Sequence, residues 1–272
     1  MDVSHLYDPD ALQQLHRHLN ENTPFDRISL RAGLELAIDP ASRFAYQWFC
    51  VDPTATREFD HFLRVSGQRR RLLDIGAFYG IFSMAFTARA GTEALAVEPS
   101  PQALAVLRAN GLLNPRNAMR VFDGAAGASD ALVRMRHDGA HLIGADLVPD
   151  GGEASLVKVM AGDDLLADQR FVPDIIKIDV EGYEQQVLTG LSRTLDFFRP
   201  DLHVEVHGPW LPMFDSSTDS LFRLLRQHGY RIRLIDGQEI SEMDADRLRA
   251  EMFHVFCTHR STQWADRVRG VG

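Results

Sequence analysis

The chain has 272 residues, 45% hydrophobic and 25% charged, the composition of an ordinary soluble globular protein rather than a disordered or fibrous one. Its 38 acidic and 29 basic residues leave a net charge of −9, which argues against a nucleic-acid partner, because phosphate binding needs a basic surface. Two cysteines, Cys50 and Cys257, are too few for a disulfide scaffold and make a reducing cytoplasm the expected compartment, while no apolar run reaches the roughly 18 to 20 residues of a membrane span.

At about 150 residues per domain, this length suits one large α/β domain with extensions. The acidic start MDVSHLYDPD predicts no signal peptide. LYDPDALQQLHRHLN reads as a short helix, with Asp8 as cap and Pro9 in the first turn. RISLRAGLELAID reads as two strands around Ala32-Gly33, and TATREFDHFLRVSG as a helix stopped by Gly67. From residue 71 strands and helices alternate. LLDIG is a strand, IFSMAFTARAG a helix and ALAVEPS a strand. Ser100-Pro101 then opens a helix that runs to Gly111. NAMRVFDG is a third strand, and the glycine-containing stretch 123–165 is long enough to hold strands of its own. PDIIKIDVEG leads into helix YEQQVLTGLSRTL, and PDLHVEVHG leads through a loop into STDSLFRLLRQHG. YRIRLID and MFHVFCTHR form a closing pair. This alternation predicts a doubly wound, mostly parallel sheet with helices on both faces.

The first strand turns into its helix through Asp74-Ile-Gly76-Ala-Phe-Tyr-Gly80. Glycines there let bare backbone approach a ligand at the carboxyl ends of the strands. Asp74 stands where a dinucleotide fingerprint has its first glycine, and a carboxylate is poorly matched to a pyrophosphate. It suits an ammonium or a sulfonium. Glu98 closes the second strand, 22 residues after Gly76, where an acid can accept both ribose hydroxyls. The two acids point to S-adenosylmethionine rather than a dinucleotide.

LLDIGAFYGIFSMAF, AVEPSPQAL and above all IIKIDVEGYEQQVLTGL resemble the FkbM family of methyltransferases, with RPDLHVEVH and MAGDDLL in the expected places. The resemblance spans about residues 50 to 210. It implies a Rossmann-like class I methyltransferase fold with an antiparallel C-terminal strand, and methylation of a hydroxyl oxygen. It places S-adenosyl-L-methionine at Asp74, Gly76, Ala77, Phe78, Gly80, Glu98, Pro99 and Ser100, with Asp123 and Gly124 toward the adenine and Asp179 at the far end. Phe78-Tyr79 departs from the family, which often has asparagine first. Residues 1–70 are then expected to form an extension of helices and a hairpin that covers the acceptor site. Residues 71–272 would form the cofactor-binding domain.

In the fourth strand Lys177, Asp179 and Glu181 alternate with apolar residues, and in the fifth His203, Glu205 and His207 do the same. Central parallel strands are usually apolar on both faces, so these two polar trios are unusual. Lys177 is expected to pair with Asp179 or Glu205, as a buried ion pair or as part of the chemistry. His207, near the carboxyl end, reads equally as a general base for the acceptor proton or as a histidine that orients a loop. Asp179, Glu205 and His207 would be the ligands if a divalent metal were required, although no compact metal motif is present. His137 and His141 read as lid or surface residues, and Arg69-Arg70-Arg71 as a solvated strand entry. The leading expectation is an O-methyltransferase acting on a small hydroxylated molecule, a polyketide-like product or a sugar. The alternatives are a metal-dependent sugar methyltransferase and a non-catalytic S-adenosylmethionine-binding partner protein. A nicotinamide oxidoreductase is a weaker reading, and a homo-oligomer is left open.

Overall fold

Short runs of β-branched and aliphatic residues between glycine and proline stops make the strands here, and most of them lie where the patterning predicts. The computed structural model describes residues 25–138, 141–144, 154–240 and 244–260. The predicted first helix, LYDPDALQQLHRHLN, lies outside the described residues. In chain order the elements are β1 (Asp26–Arg31), β2 (Leu34–Ile38), α1 (Arg43–Val51), α2 (Pro53–Ser66), β3 (Arg71–Ile75), α3 (Ile81–Thr87), β4 (Glu93–Glu98) and α4 (Pro101–Leu113). There follow β5 (Ala118–Asp123), β6 (Ala125–Gly127), β7 (Ala131–Asp138), β8 (His141–Gly144), β9 (Ala154–Ala161), α5 (Gly162–Asp168) and β10 (Ile175–Ile178). The chain continues with α6 (Glu184–Gly190), α7 (Ser192–Phe197), β11 (Asp201–His207), α8 (Thr218–Gln227), β12 (Tyr230–Leu234), α9 (Ala245–Ala250) and β13 (Met252–His259).

Seven strands form the main sheet in the order β12-β13-β11-β10-β3-β4-β5. The five from β11 to β5 pair in parallel, and β13 runs antiparallel between β11 and β12. This is the mixed α/β sheet that the resemblance implies, with its antiparallel strand near one edge. The chain winds outward from β3 in both directions, so the switch point lies between β3 and β10, where such sheets bind ligands. One face carries Leu73, Ile176, Leu202 and Val204 against Val187, Leu191 and Leu221 of α6 and α8 and their connection. The other carries Leu72 and Ile175 against Phe59, Phe62, Phe82 and Phe86 of α2 and α3. The hairpin β1–β2 joins this second core through Leu30, Leu36 and Ile38.

Four local differences have physical causes. Helix α1 is not anticipated, because RFAYQWFCV is rich in aromatics, and Ser42 makes no side-chain cap to it. Helix α4 passes through Gly111, which lies close to the Met119 side chain, and ends at Leu113. Gly67 ends α2 in the right-handed region, with no left-handed stop. YEQQVLTGLSRTL is two short helices that meet at Leu191, after Gly190. Gly190 packs onto the Gly127 carbonyl, leaving no room there for a side chain. The stretch after β5 does hold strands: β6, β9, β7 and β8 form a second, four-stranded sheet.

Candidate active site

The carboxyl ends of β3, β4 and β10 open on a cavity of about 250 Å³. Its floor is Ile75 and Gly76, one end is Val97, Glu98 and Pro99, and the other is Asp179, Val180 and Glu181. The second sheet supplies an apolar wall of Ala125, Ala126, Val133, Met135 and Val159, completed by Tyr183 and Phe214. Among the described residues none before Ile75 lines the cavity. The side chains of His137 and His141 lie outside the described residues.

Glu98 is buried, and each of its oxygens already accepts one backbone N–H: Oε2 from Phe78 and Oε1 from Ser100, both at 2.8 Å. Burial pushes its carboxyl up, the two N–H groups pull it partly back, and the result is about 7. Phe78 has a φ of 50° and Glu181 a φ of 55°, left-handed values that are costly for residues with a Cβ. Both line the cavity, two of the five such residues described.

Several expected cofactor residues point elsewhere. The Asp74 carboxylate accepts from the Ser83 hydroxyl at 2.6 Å and from the Ser83 N–H at 3.2 Å, beneath α3 and outside the cavity lining. Burial raises its pKa. Asp123 is exposed, pairs with Arg108 at 3.0 Å and is absent from the cavity lining. Ser100 caps α4 through the Ala103 N–H. Ala77, Gly80 and Gly124 are also absent from the lining. At Gly80 an added Cβ would meet Leu107, and at Gly124 the Lys158 carbonyl. Gly76 does line the cavity, but a Cβ on it would lie 1.7 Å from the Asp179 carbonyl oxygen. Its smallness serves the β3–β10 junction before it serves any ligand.

Behind Asp179 and Glu181 the polar trios meet, on the sheet face that α2 covers. Lys177 Nζ lies 2.9 Å from Asp179 Oδ2, 3.8 Å from Glu58 Oε1 and 4.3 Å above the Phe82 ring. Burial alone would lower its pKa, but Asp179, Glu58 and Asp74 raise it. Asp179 is held below the usual carboxylate range: its burial is outweighed by Lys177 and His207. Glu205 turns away from Lys177 toward His254, with Nε2 at 3.4 Å, and its carboxyl is pushed up by burial and by Asp179. The partner of Lys177 that the sequence does not announce is Glu58, from α2.

Both ring nitrogens of His207 face carboxylates. Its Nδ1 lies 2.6 Å from Glu184 Oε1 and its Nε2 lies 3.1 Å from Glu181 Oε2, while the ring stacks on Trp210 at 5.2 Å. Burial disfavours its charge, but Glu181, Glu184 and Asp179 outweigh burial and raise it to about 11. An imidazolium with both N–H groups engaged has no lone pair to offer. One atom each from Asp179, Glu205 and His207 lies within 4.8 Å of the others, the grouping expected if a metal were held here. Glu184 is the residue missed. Its signal is the spacing of two acids, Glu181 and Glu184, around Gly182.

A profile of the FkbM methyltransferase domain matches residues 74–232, more than half of the chain. The chain belongs to the FkbM methyltransferase family. No curated protein matches it. Among solved structures, an FkbM methyltransferase from Methylobacillus flagellatus KT aligns over 92% of this chain and 58% of its own, at 18% identity and a TM-score of 0.46. This FkbM chain therefore spans little more than half the length of that protein. A precorrin-6y C5,15-methyltransferase from Geobacter metallireducens GS-15 aligns over 74% of this chain and 87% of its own, at 12% identity and a TM-score of 0.43. The kinase-methyltransferase WbdD aligns over 75% of this chain and 38% of its own, at 17% identity and a TM-score of 0.42. No helix among the described residues is long and apolar enough to cross a membrane.

Proposed function

We propose that this FkbM protein moves a methyl group from S-adenosyl-L-methionine to a hydroxyl oxygen of a small molecule. The observation that carries the reading is the cavity at the switch point, with Glu98 at one end, Asp179 and Glu181 at the other, and apolar walls between. That donor set suits the cofactor. Glu98 keeps acceptor capacity for hydroxyls, because each oxygen has spent one lone pair on a backbone N–H. Val97, Ala126, Val133 and Val159 offer an apolar slot for a planar base, and the acids favour a cation. When bound, S-adenosyl-L-methionine supplies an electrophilic methyl group on a sulfonium. The protein has to align the acceptor oxygen and take up its proton. With His207 held as a cation, that proton goes to a cavity carboxylate, Asp179 or Glu181.

Calorimetry with S-adenosylhomocysteine tests the first half of this proposal. A screen of hydroxylated acceptors for the mass of one added methyl group tests the second. Binding without any methylated product would favour a partner protein that only holds the cofactor. No binding at all would remove the cavity from consideration.

A further inference from the structure

On the far side of Lys177 from the cavity lies a second constellation that the proposed reaction leaves unused. Glu58 of α2, Glu205 of β11 and His254 of β13 each bring one ligand-type atom within 4.8 Å of the others. His254 Nε2 is 3.2 Å from Glu58 Oε2 and 3.4 Å from Glu205 Oε2. Nε2 is buried between the two carboxylates without ideal hydrogen-bond alignment to either, and the two acids outweigh burial and raise its pKa to about 10. Atoms bound about 2.0 to 2.2 Å from a shared ion stand roughly 3 to 3.5 Å apart, whatever the exact geometry between octahedral and tetrahedral. The two separations fall in that range.

A second observation is independent of these three ligands. His203, fully buried beside them, has no hydrogen-bond partner on either ring nitrogen, and its ring centre is 6.3 Å from that of His254. Glu58 is only 4% exposed, and its Oε1 also lacks a hydrogen bond, with Lys177 Nζ as its nearest cation at 3.8 Å. Buried polar groups rarely stay unmatched without an ion or water between them. Charge points the same way. Four carboxylates, Glu58, Asp74, Asp179 and Glu205, act on the one lysine, Lys177, so acids outnumber it in this buried region. His207 is already matched by Glu181 and Glu184, and His61 packs against His203.

We infer that Glu58, Glu205 and His254 form a binding site for a divalent transition metal that pins α2 across β11 and β13. Two carboxylates and an imidazole suit Zn²⁺ or Mn²⁺ better than Mg²⁺ or Ca²⁺, which favour all-oxygen shells. Water would complete the coordination. The site stands apart from the cavity, so its role is structural and electrostatic.

The test is metal content and metal-dependent stability of the full chain. Protein stripped with a chelator and dialysed against Zn²⁺ or Mn²⁺ is expected to retain about one equivalent and to regain the thermal midpoint lost on stripping. Co²⁺ titrated into the stripped wild type is expected to give visible d–d absorption, a readout that needs no variant. His254→Gln and Glu58→Gln should each weaken metal binding at least about tenfold, and His207→Gln should not. A wild type that takes up no metal, with no Co²⁺ absorption and an unchanged midpoint, would overturn the site and leave a protonated His254 bridging the two carboxylates. Metal lost in His207→Gln but kept in His254→Gln would overturn it in favour of Asp179, Glu205 and His207.

Discussion

Glu184 Oε1 stands 2.6 Å from His207 Nδ1 and also accepts the Gly182 N–H at 3.0 Å. One buried carboxylate thus fastens both the histidine that ends β11 and the turn that aims Glu181 at the cavity. The turn is strained, with Glu181 and Gly182 both at positive φ, and this clamp over-determines it.

Removing His207 should therefore be felt first in stability. His207→Asn leaves Glu184 buried without its cation, a change that typically costs about 3 to 5 kcal/mol. His207 has a raised pKa in the folded state, so its contribution is complete below about pH 6.5, the unfolded value, and fades as pH rises toward about 11. Urea titrations at pH 6 and pH 10 should show the gap between wild type and variant narrowing at the higher pH. An equal gap at both would mean a neutral ring.

Glu98 gives a different pH signature. With its carboxyl near 7, it is mostly protonated at pH 6 and mostly ionised at pH 8. An ionised carboxylate accepts hydroxyl protons better, so S-adenosylhomocysteine should bind more tightly at pH 8. Glu98→Gln should remove that dependence and weaken binding by about 1.5 to 3 kcal/mol, the worth of a hydrogen bond to a charged group. Calorimetry at the two pH values checks both; pH-independent binding by the wild type would take Glu98 out of the site.

What the sequence makes legible, and what it hides, follows from how local each interaction is. The turn from β3 to α3 and the cap at Ser100-Pro101 are set by neighbours in the chain, and both lie where the pattern puts them. Glu98 is legible because its place at a strand's exit fixes its surroundings. Asp74 is not, since the serine that draws it inward, Ser83, lies nine residues on, in the first turn of α3 past the glycine loop. The polar trios announce buried charge, but not their partners Glu58 and His254, which arrive from elements far along the chain. His207 reads as a base because a lone imidazole titrates near neutrality; the folded chain surrounds it with acids.

The two glycines of the first turn should respond unequally. Both have left-handed backbone, but a Cβ on Gly76 would strike the Asp179 carbonyl, whereas on Gly80 it would meet the end of the Leu107 side chain, which can rotate. Gly76→Ala should lose several kcal/mol and fold poorly, while Gly80→Ala should cost about 1 to 3 kcal/mol. Thermal unfolding of the two variants side by side decides the order.

Asn110 ties the first hairpin to this turn. Its side chain accepts from the Asp39 N–H at 2.7 Å and donates to the Tyr79 carbonyl at 2.9 Å, and it is fully buried. Asn110→Ala strands those groups and should cost about 1 to 3 kcal/mol. Hydrogen exchange should show residues 26–51 opening before the main sheet. Uniform loss of protection would mean that the hairpin and sheet unfold as one unit.

The place of β13 gives the protein a schedule. It is the last described strand in the chain, yet it lies between β11 and β12 and supplies the hydrogen-bonding edge of both. During synthesis β11 and β12 leave the ribosome without the strand that will separate them, and each presents bare backbone until His259 has emerged. That interval is when the nascent chain is most exposed to wrong pairing and most dependent on chaperones. Translation arrested after Ala250 should leave β11 open to protease, and arrest well beyond Arg260 should protect it.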